Sequence, residues 1–132
     1  NTVNDNNTST PESTGARVNV RIGDKTYTAT MFNNPTANDL VSQLPLTLAF
    51  RDYAGQEKVS PAPRALTMQG VPRGDDPEIN DFGYYAPSNS LVLYYSNVGY
   101  WDGIVRLGRF DSSIEAIRTL PDGFTVTIEL AH

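Results

Sequence analysis

From Arg17 onward, apolar side chains fall on alternate residues. Val18, Val20 and Ile22 alternate with Asn19 and Arg21, Gly23-Asp24 supplies a turn, and Tyr27, Ala29 and Met31 then alternate with threonines. A period of two sends one side of each segment to a core and the other to water, so this stretch predicts a β-hairpin. Leu46, Leu48 and Phe50 return to the same period, and Ala54-Gly55-Gln56 turns the chain into Lys58 and Val59. Phe82 and Tyr84 lead into SLVLYY, residues 90–95, an uninterrupted apolar run suited to a strand covered on both faces. GIVRLGRF (103–110) reads as a further strand, and Phe124, Val126, Ile128 and Leu130 alternate with Thr125, Thr127 and Glu129.

Two segments break the alternation. In NNPTANDLVSQLP, Asn34 is placed to cap, Pro35 suits the first helical position, and Ala37, Leu40, Val41 and Leu44 form one stripe before Pro45. Ser112 with Glu115 matches a capping box that opens a second brief helix through Ile114 and Ile117. About seven or eight short antiparallel strands with so few helices predict a mainly β fold, a closed antiparallel barrel with two short helices, because closure removes exposed strand edges. The stretch 60–81, rich in Pro, Gly and Asp, reads as a long irregular loop on that scaffold, where function tends to reside.

Residues 1–16 are nearly all Asn, Thr, Ser, Asp, Glu, Pro and Gly, with Val3 and Ala16 apolar. Such a segment buries too little surface to offset its ordering entropy, so 1–16 is expected to be a polar linker and 17–132 the folded domain. The chain does not begin with Met. With the polar tail, this sets the expectation of an exported bacterial protein, periplasmic, secreted or tethered by an upstream lipid anchor, with an interdomain linker as the alternative. The sequons at Asn6 and Asn7 are what an Asn/Thr-rich tail produces by chance.

Composition removes several chemistries. The chain has no cysteine and a single histidine, His132, which excludes disulfides, thiolate sites, a Ser-His-Asp triad and a histidine-ligated zinc built from this chain alone. A net charge of −5 disfavours nucleic acid, whose binding needs a basic patch. DDPEIND (75–81) lacks the glycine and terminal glutamate of a calcium loop and reads as a solvated loop, so neither a metal nor a cofactor is expected. Among the many aromatics, alternation sends roughly half into the core. The pair Tyr100-Trp101, in a loop, is the better candidate for an exposed binding surface.

The stretch VRIGDKTYTATMFNNPTANDLVSQLPLTLAFRDYAGQEK, with APRAL, FGYYAPSNSLVLYY and VRLGRFDSSIEAI, is similar to the small bacterial cyclophilin-like domains. The resemblance spans about residues 17–130 and implies a reduced cyclophilin barrel without an assigned activity. PAPRALTMQG (61–70) also resembles the active-site stretch of the cyclophilins, the prolyl isomerases. There an aromatic and a histidine precede the catalytic arginine and a Phe-Met-x-Gln-Gly run follows. Here Ala62-Pro63 precede Arg64, and Met68-Gln69-Gly70 follow. The cyclophilin Gly-Ser-Gln-Phe-Phe strand matches Asn89 to Leu93, with Leu93 where the pocket phenylalanine stands. A Trp-Leu-Asp-Gly turn resembles Trp101-Asp102-Gly103.

An X-Pro amide rotates over a barrier of about 18–20 kcal/mol, so an isomerase needs an apolar socket and one cationic donor for the twisted amide. The resemblance implies Arg64 in that role, with Met68, Gln69, Leu93, Tyr100 and Trp101 beside it in a ligand cleft. The expected function is a non-catalytic module binding a peptide or small molecule there. The alternatives are a low-activity prolyl isomerase using Arg64 and a purely structural domain. A surface Arg64 paired with Asp75, Asp76, Glu78 or Asp81 is the simpler reading of that residue.

Overall fold

A computed structural model of the chain describes residues 13–131. The polar segment 1–12, with its sequons, and His132 lie outside the described residues. Ten strands run in chain order: β1 (Ser13–Ile22), β2 (Lys25–Phe32), β3 (Leu46–Tyr53), β4 (Glu57–Pro61), β5 (Gly74–Asp75), β6 (Asp81–Tyr85), β7 (Ser90–Tyr94), β8 (Trp101–Asp102), β9 (Ile104–Phe110) and β10 (Phe124–Leu130). Eight of them close into a barrel in the order β1-β10-β3-β4-β7-β6-β9-β2, while β5 and β8 form a separate two-stranded ribbon. All barrel pairings are antiparallel. The barrel is the one expected, and closure leaves no unpaired edge in it.

Strand β1 extends back to Ser13, which pairs with Phe32 across an irregularity in the ladder before Arg17. The barrel therefore takes in Ser13–Ala16, residues whose polar composition suggested a linker. Backbone pairing with β2 is indifferent to that composition.

The inner face of the barrel holds one core. Val18 and Val20 of β1, Ala29 and Met31 of β2, Leu91 and Leu93 of β7, and Val126 and Ile128 of β10 all meet there, as alternation requires. Helix α1 (Pro35–Val41) links β2 to β3, which are separated in the ring by β1 and β10, so it must cross. It does so with Ala37 and Leu40 in the main core. The Asn34 side chain accepts from the Ala37 amide at 2.8 Å and donates to the Arg106 carbonyl at 2.9 Å, fixing the helix start to β9.

The second helix is a 3₁₀ turn, Glu115–Thr119, which sends Ile117 into the core. Its opening differs from the expected capping box. The Glu115 amide donates to Ser113 Oγ at 3.1 Å rather than to Ser112, and the Glu115 carboxylate turns to Arg118 at 2.7 Å. The residue at the cap position is Ile114, which has no side-chain hydroxyl, so Ser113 makes a local bond two residues ahead instead of a cap.

Strand β7 is covered on both faces, as its apolar run predicts. Leu91 and Leu93 face inward, while Val92 and Tyr94 join Val59 in a second, outer cluster flanked by Tyr85 and Val98. That outer cluster is where the barrel carries its cleft.

Candidate functional site

Antiparallel register aligns three side chains on the outer face. Tyr53 of β3 stands opposite Glu57 of β4, and Glu57 stands opposite Tyr94 of β7. Lys58 and Ser60 point the other way and are buried, so alternation leaves Glu57 and Val59 on the outside. Further round the barrel, Tyr85 of β6 pairs with Ile104 of β9. These residues line an open cleft of about 120 Å³, closed on its far side by Val98 and Trp101.

Glycines let the rings lie close. An added Cβ at Gly83 would sit 2.6 Å from Tyr94 Cε2 and 3.2 Å from the Val105 carbonyl, so the missing side chain is what allows the tyrosine to lie across β6. At Gly74 an added Cβ would come within 2.3 Å of the Trp101 carbonyl, which is how β5 seats the strand carrying the tryptophan. The Trp101 indole N–H donates to the Val98 carbonyl at 2.9 Å, and Ser96 Oγ donates to the Gln56 carbonyl at 2.9 Å. The far wall is thereby tied to the β3–β4 turn. Trp101 nevertheless keeps 56 % of its surface exposed.

The electrostatics are uneven. Asp52 accepts from Tyr95 Oη at 2.5 Å and from the Gly55 amide at 2.9 Å, and pairs with Lys58 at 3.3 Å. Led by the tyrosine bond, these contacts hold its carboxyl below the usual range. Glu57 has no such company: among the described residues its carboxylate makes no ion pair and no side-chain hydrogen bond. Burial, reinforced by the ionised Asp52, pushes it up to about 7. Burial likewise drives the Tyr94 phenol far above its normal range.

The residues singled out from sequence are scattered by the fold. Trp101 lines the cleft, and Tyr100 is exposed beside it, with its hydroxyl against Gly74. Leu93 has 0 % of its surface exposed and faces the barrel interior. Met68 packs against the core from the loop after β4, and Gln69 is exposed on that loop.

Arg64 is 54 % exposed and is gripped by Asp39 of α1 through two bonds, Nη2 to Oδ1 at 2.6 Å and Nη1 to Oδ2 at 3.1 Å. The same carboxylate accepts from the Thr67 amide at 2.8 Å, and Thr36 Oγ1 donates to the Thr67 carbonyl at 2.6 Å. The loop is thus strapped to the helix, and neither Arg64, Met68 nor Gln69 lines the cleft that holds Trp101.

The partner of Arg64 is therefore not in the 75–81 loop. There Asp81, fully buried, receives Arg106 Nε at 2.8 Å and Arg109 Nη1 at 3.0 Å, and Glu78 receives Arg109 at 3.0 Å. Those carboxylates are committed to β9. Tyr53 and Glu57 were not foreseen. The signal existed in the alternation of Glu57 and Val59 against Lys58 and Ser60, but a lysine on the inward side disguised it.

Comparison with known proteins agrees with this architecture. The hypothetical protein AF2241 from Archaeoglobus fulgidus, known from a solution structure, matches with a TM-score of 0.69 at 16 % identity, over 91 % of this chain and 98 % of that one. At that identity the likeness shows the fold alone. No curated protein matches the chain. A model of the cyclophilin-like family matches residues 20–129, from the last three residues of β1 to the penultimate residue of β10. With the family's pattern running through every strand just described, the chain belongs to the cyclophilin-like family.

Proposed function

We propose that this domain is a binding module whose ligand, a peptide or small molecule, seats in the outer-face cleft between Glu57, Tyr85, Tyr94 and Trp101. One observation carries the reading. The barrel gathers Tyr53, Tyr85, Trp101 and the half-buried Glu57 carboxylate over the buried Tyr94 in one concave outer surface, apolar walls with a single charged side chain among them. Arg64 is placed otherwise. Its guanidinium is held by an exposed bidentate pair that closes a loop onto a helix, the arrangement of a structural strap.

Amide chemical-shift mapping with a panel of short peptides of varied charge tests the reading. The expected perturbations cluster at 53–57, 85 and 94–104. Perturbations confined to 62–70, or none with any member of the panel, would defeat it.

A further inference from the structure

We infer that the cleft takes an organic cation, the ammonium or guanidinium head of a lysine or arginine side chain in a peptide or of a free amine. The inference rests on the binding reading above and names its ligand class.

Three observations converge. The first is the Glu57 carboxylate, which has no counter-charge among the described residues. Cations close by are engaged elsewhere: Arg51, which shares the outer face of β3 with Tyr53, donates to the Asp52 carbonyl at 3.4 Å, Lys58 donates to the Leu120 carbonyl at 3.1 Å and pairs with Asp52 at 3.3 Å, and Arg118 is bound by Glu115 at 2.7 Å. A half-buried anion in this state is relieved by a cation brought from outside, and a neutral guest leaves it as it was. Its upward-shifted proton affinity agrees with that.

The second is the aromatic wall. The cation–π contacts within the described residues use other rings: Lys25 lies over Tyr27, Lys58 over Tyr95 and Phe124, Arg106 over Phe32 and Arg118 over Tyr95. Tyr53, Tyr85, Tyr94 and Trp101 hold no such contact there. Ring faces carry the negative end of the quadrupole, and Tyr53 and Trp101, each more than half exposed beside the carboxylate, are open to a cation in a way that the buried Tyr94 is not.

The third is size and sign. A recess of about 120 Å³, set against roughly 300–1,000 Å³ for pockets that enclose a whole drug-sized ligand, accepts one head group and leaves the remainder outside. The rim adds Asp75, whose negative charge acts on Tyr94 inside the cleft and disfavours anions there.

Trp101 is the single tryptophan, which makes intrinsic fluorescence a direct reporter of occupancy. The wild-type protein at pH 8 is titrated with tetramethylammonium, methylamine, capped lysine amide and capped arginine amide, against capped norleucine and capped glutamate amides. Saturable emission changes are expected with the cations only, and Glu57→Gln is expected to weaken them about tenfold or more. Circular dichroism confirms that the variant is folded. Trp101→Leu, followed by calorimetry, is expected to lose affinity as well.

Tighter binding of the capped amides than of the free ammonium ions assigns the ligand to a peptide; the reverse assigns it to a free amine. If norleucine binds as well as lysine and Glu57→Gln changes nothing, the cation inference falls while the binding reading survives. Silence from every compound, together with silence in the peptide mapping, removes both.

Discussion

Arg64 and Glu57 sit on the same barrel in opposite conditions. Arg64 is largely in water, yet its charge is answered by Asp39, to which it donates two bonds and whose carboxyl that guanidinium and the Thr67 amide hold below its usual range. Glu57 is partly withdrawn from water and unanswered within the described residues, and burial raises its proton affinity. A charge that has found its partner is explained by the fold. A half-buried charge without one costs stability, a cost that the proposed binding site would account for. The contrast moves attention from the arginine that the sequence makes conspicuous to the glutamate that it does not.

Four measurements press on that contrast. The largest effect belongs to a third condition, the buried and fully paired charge. Asp81→Ala would take from Arg106, which is only 2 % exposed, its partner at 2.8 Å and leave Glu78 at 3.9 Å, and should cost about 3–5 kcal/mol in urea unfolding at pH 7. A loss well under 1 kcal/mol would mean that water reaches that guanidinium and that burial is a poor guide to charge here.

Gly83→Ala should cost about 1–3 kcal/mol, because its Cβ would meet the Tyr94 ring at 2.6 Å. It should also blunt the Trp101 fluorescence response to any ligand that wild type binds. An unaltered response would detach Tyr94 from the site.

Glu57→Gln should act with pH. The folded carboxyl titrates near 7 against an ordinary 4.5, so the folded state holds the extra proton between those values. The penalty of the ionised group is complete above pH 7 and vanishes below about 4.5. The variant should therefore be more stable than wild type at pH 8, by on the order of 1 kcal/mol after solvent screening, and equal to it at pH 4. Thermal melts across that range check the sign. A variant less stable at pH 8 would show that Glu57 has a partner.

The smallest effect is expected at Arg64→Ala. An exposed strap gives little back on removal, so melting should shift slightly and the fluorescence titration not at all. In a protease-coupled prolyl isomerisation assay the variant and wild type should run at equal rates. A clear loss in the variant would return Arg64 to the centre of the function.

Local patterns in the chain foretold most of the scaffold. The alternations at 18–22, 27–31 and 124–130 became β1, β2 and β10, the Asn34-Pro35 start became a capped helix, and the doubly apolar run at 90–95 became a strand covered on both faces. Local chemistry misled where two hydroxyls were adjacent, at Ser112 and Ser113, and where polar residues 13–16 entered β1 through their backbone.

The site was the part least visible beforehand. Trp101 was recognisable as an exposed aromatic, but its neighbours come from β3, β4, β6, β7 and β9. Nothing at position 57 by itself announces Tyr94 across the ladder.

By itself, then, the sequence determined the barrel, its helix start and the absence of cysteine and internal histidine chemistry, because hydrophobic period, capping and composition act over a few residues at a time. Tertiary structure alone decided that Asp39 would take Arg64, that Asp81 would take Arg106 and Arg109, and that Glu57 would line a cleft with aromatics and no ion partner among the described residues. Those outcomes depend on strand register and barrel closure, which bring together residues far apart in the chain and settle which charges meet.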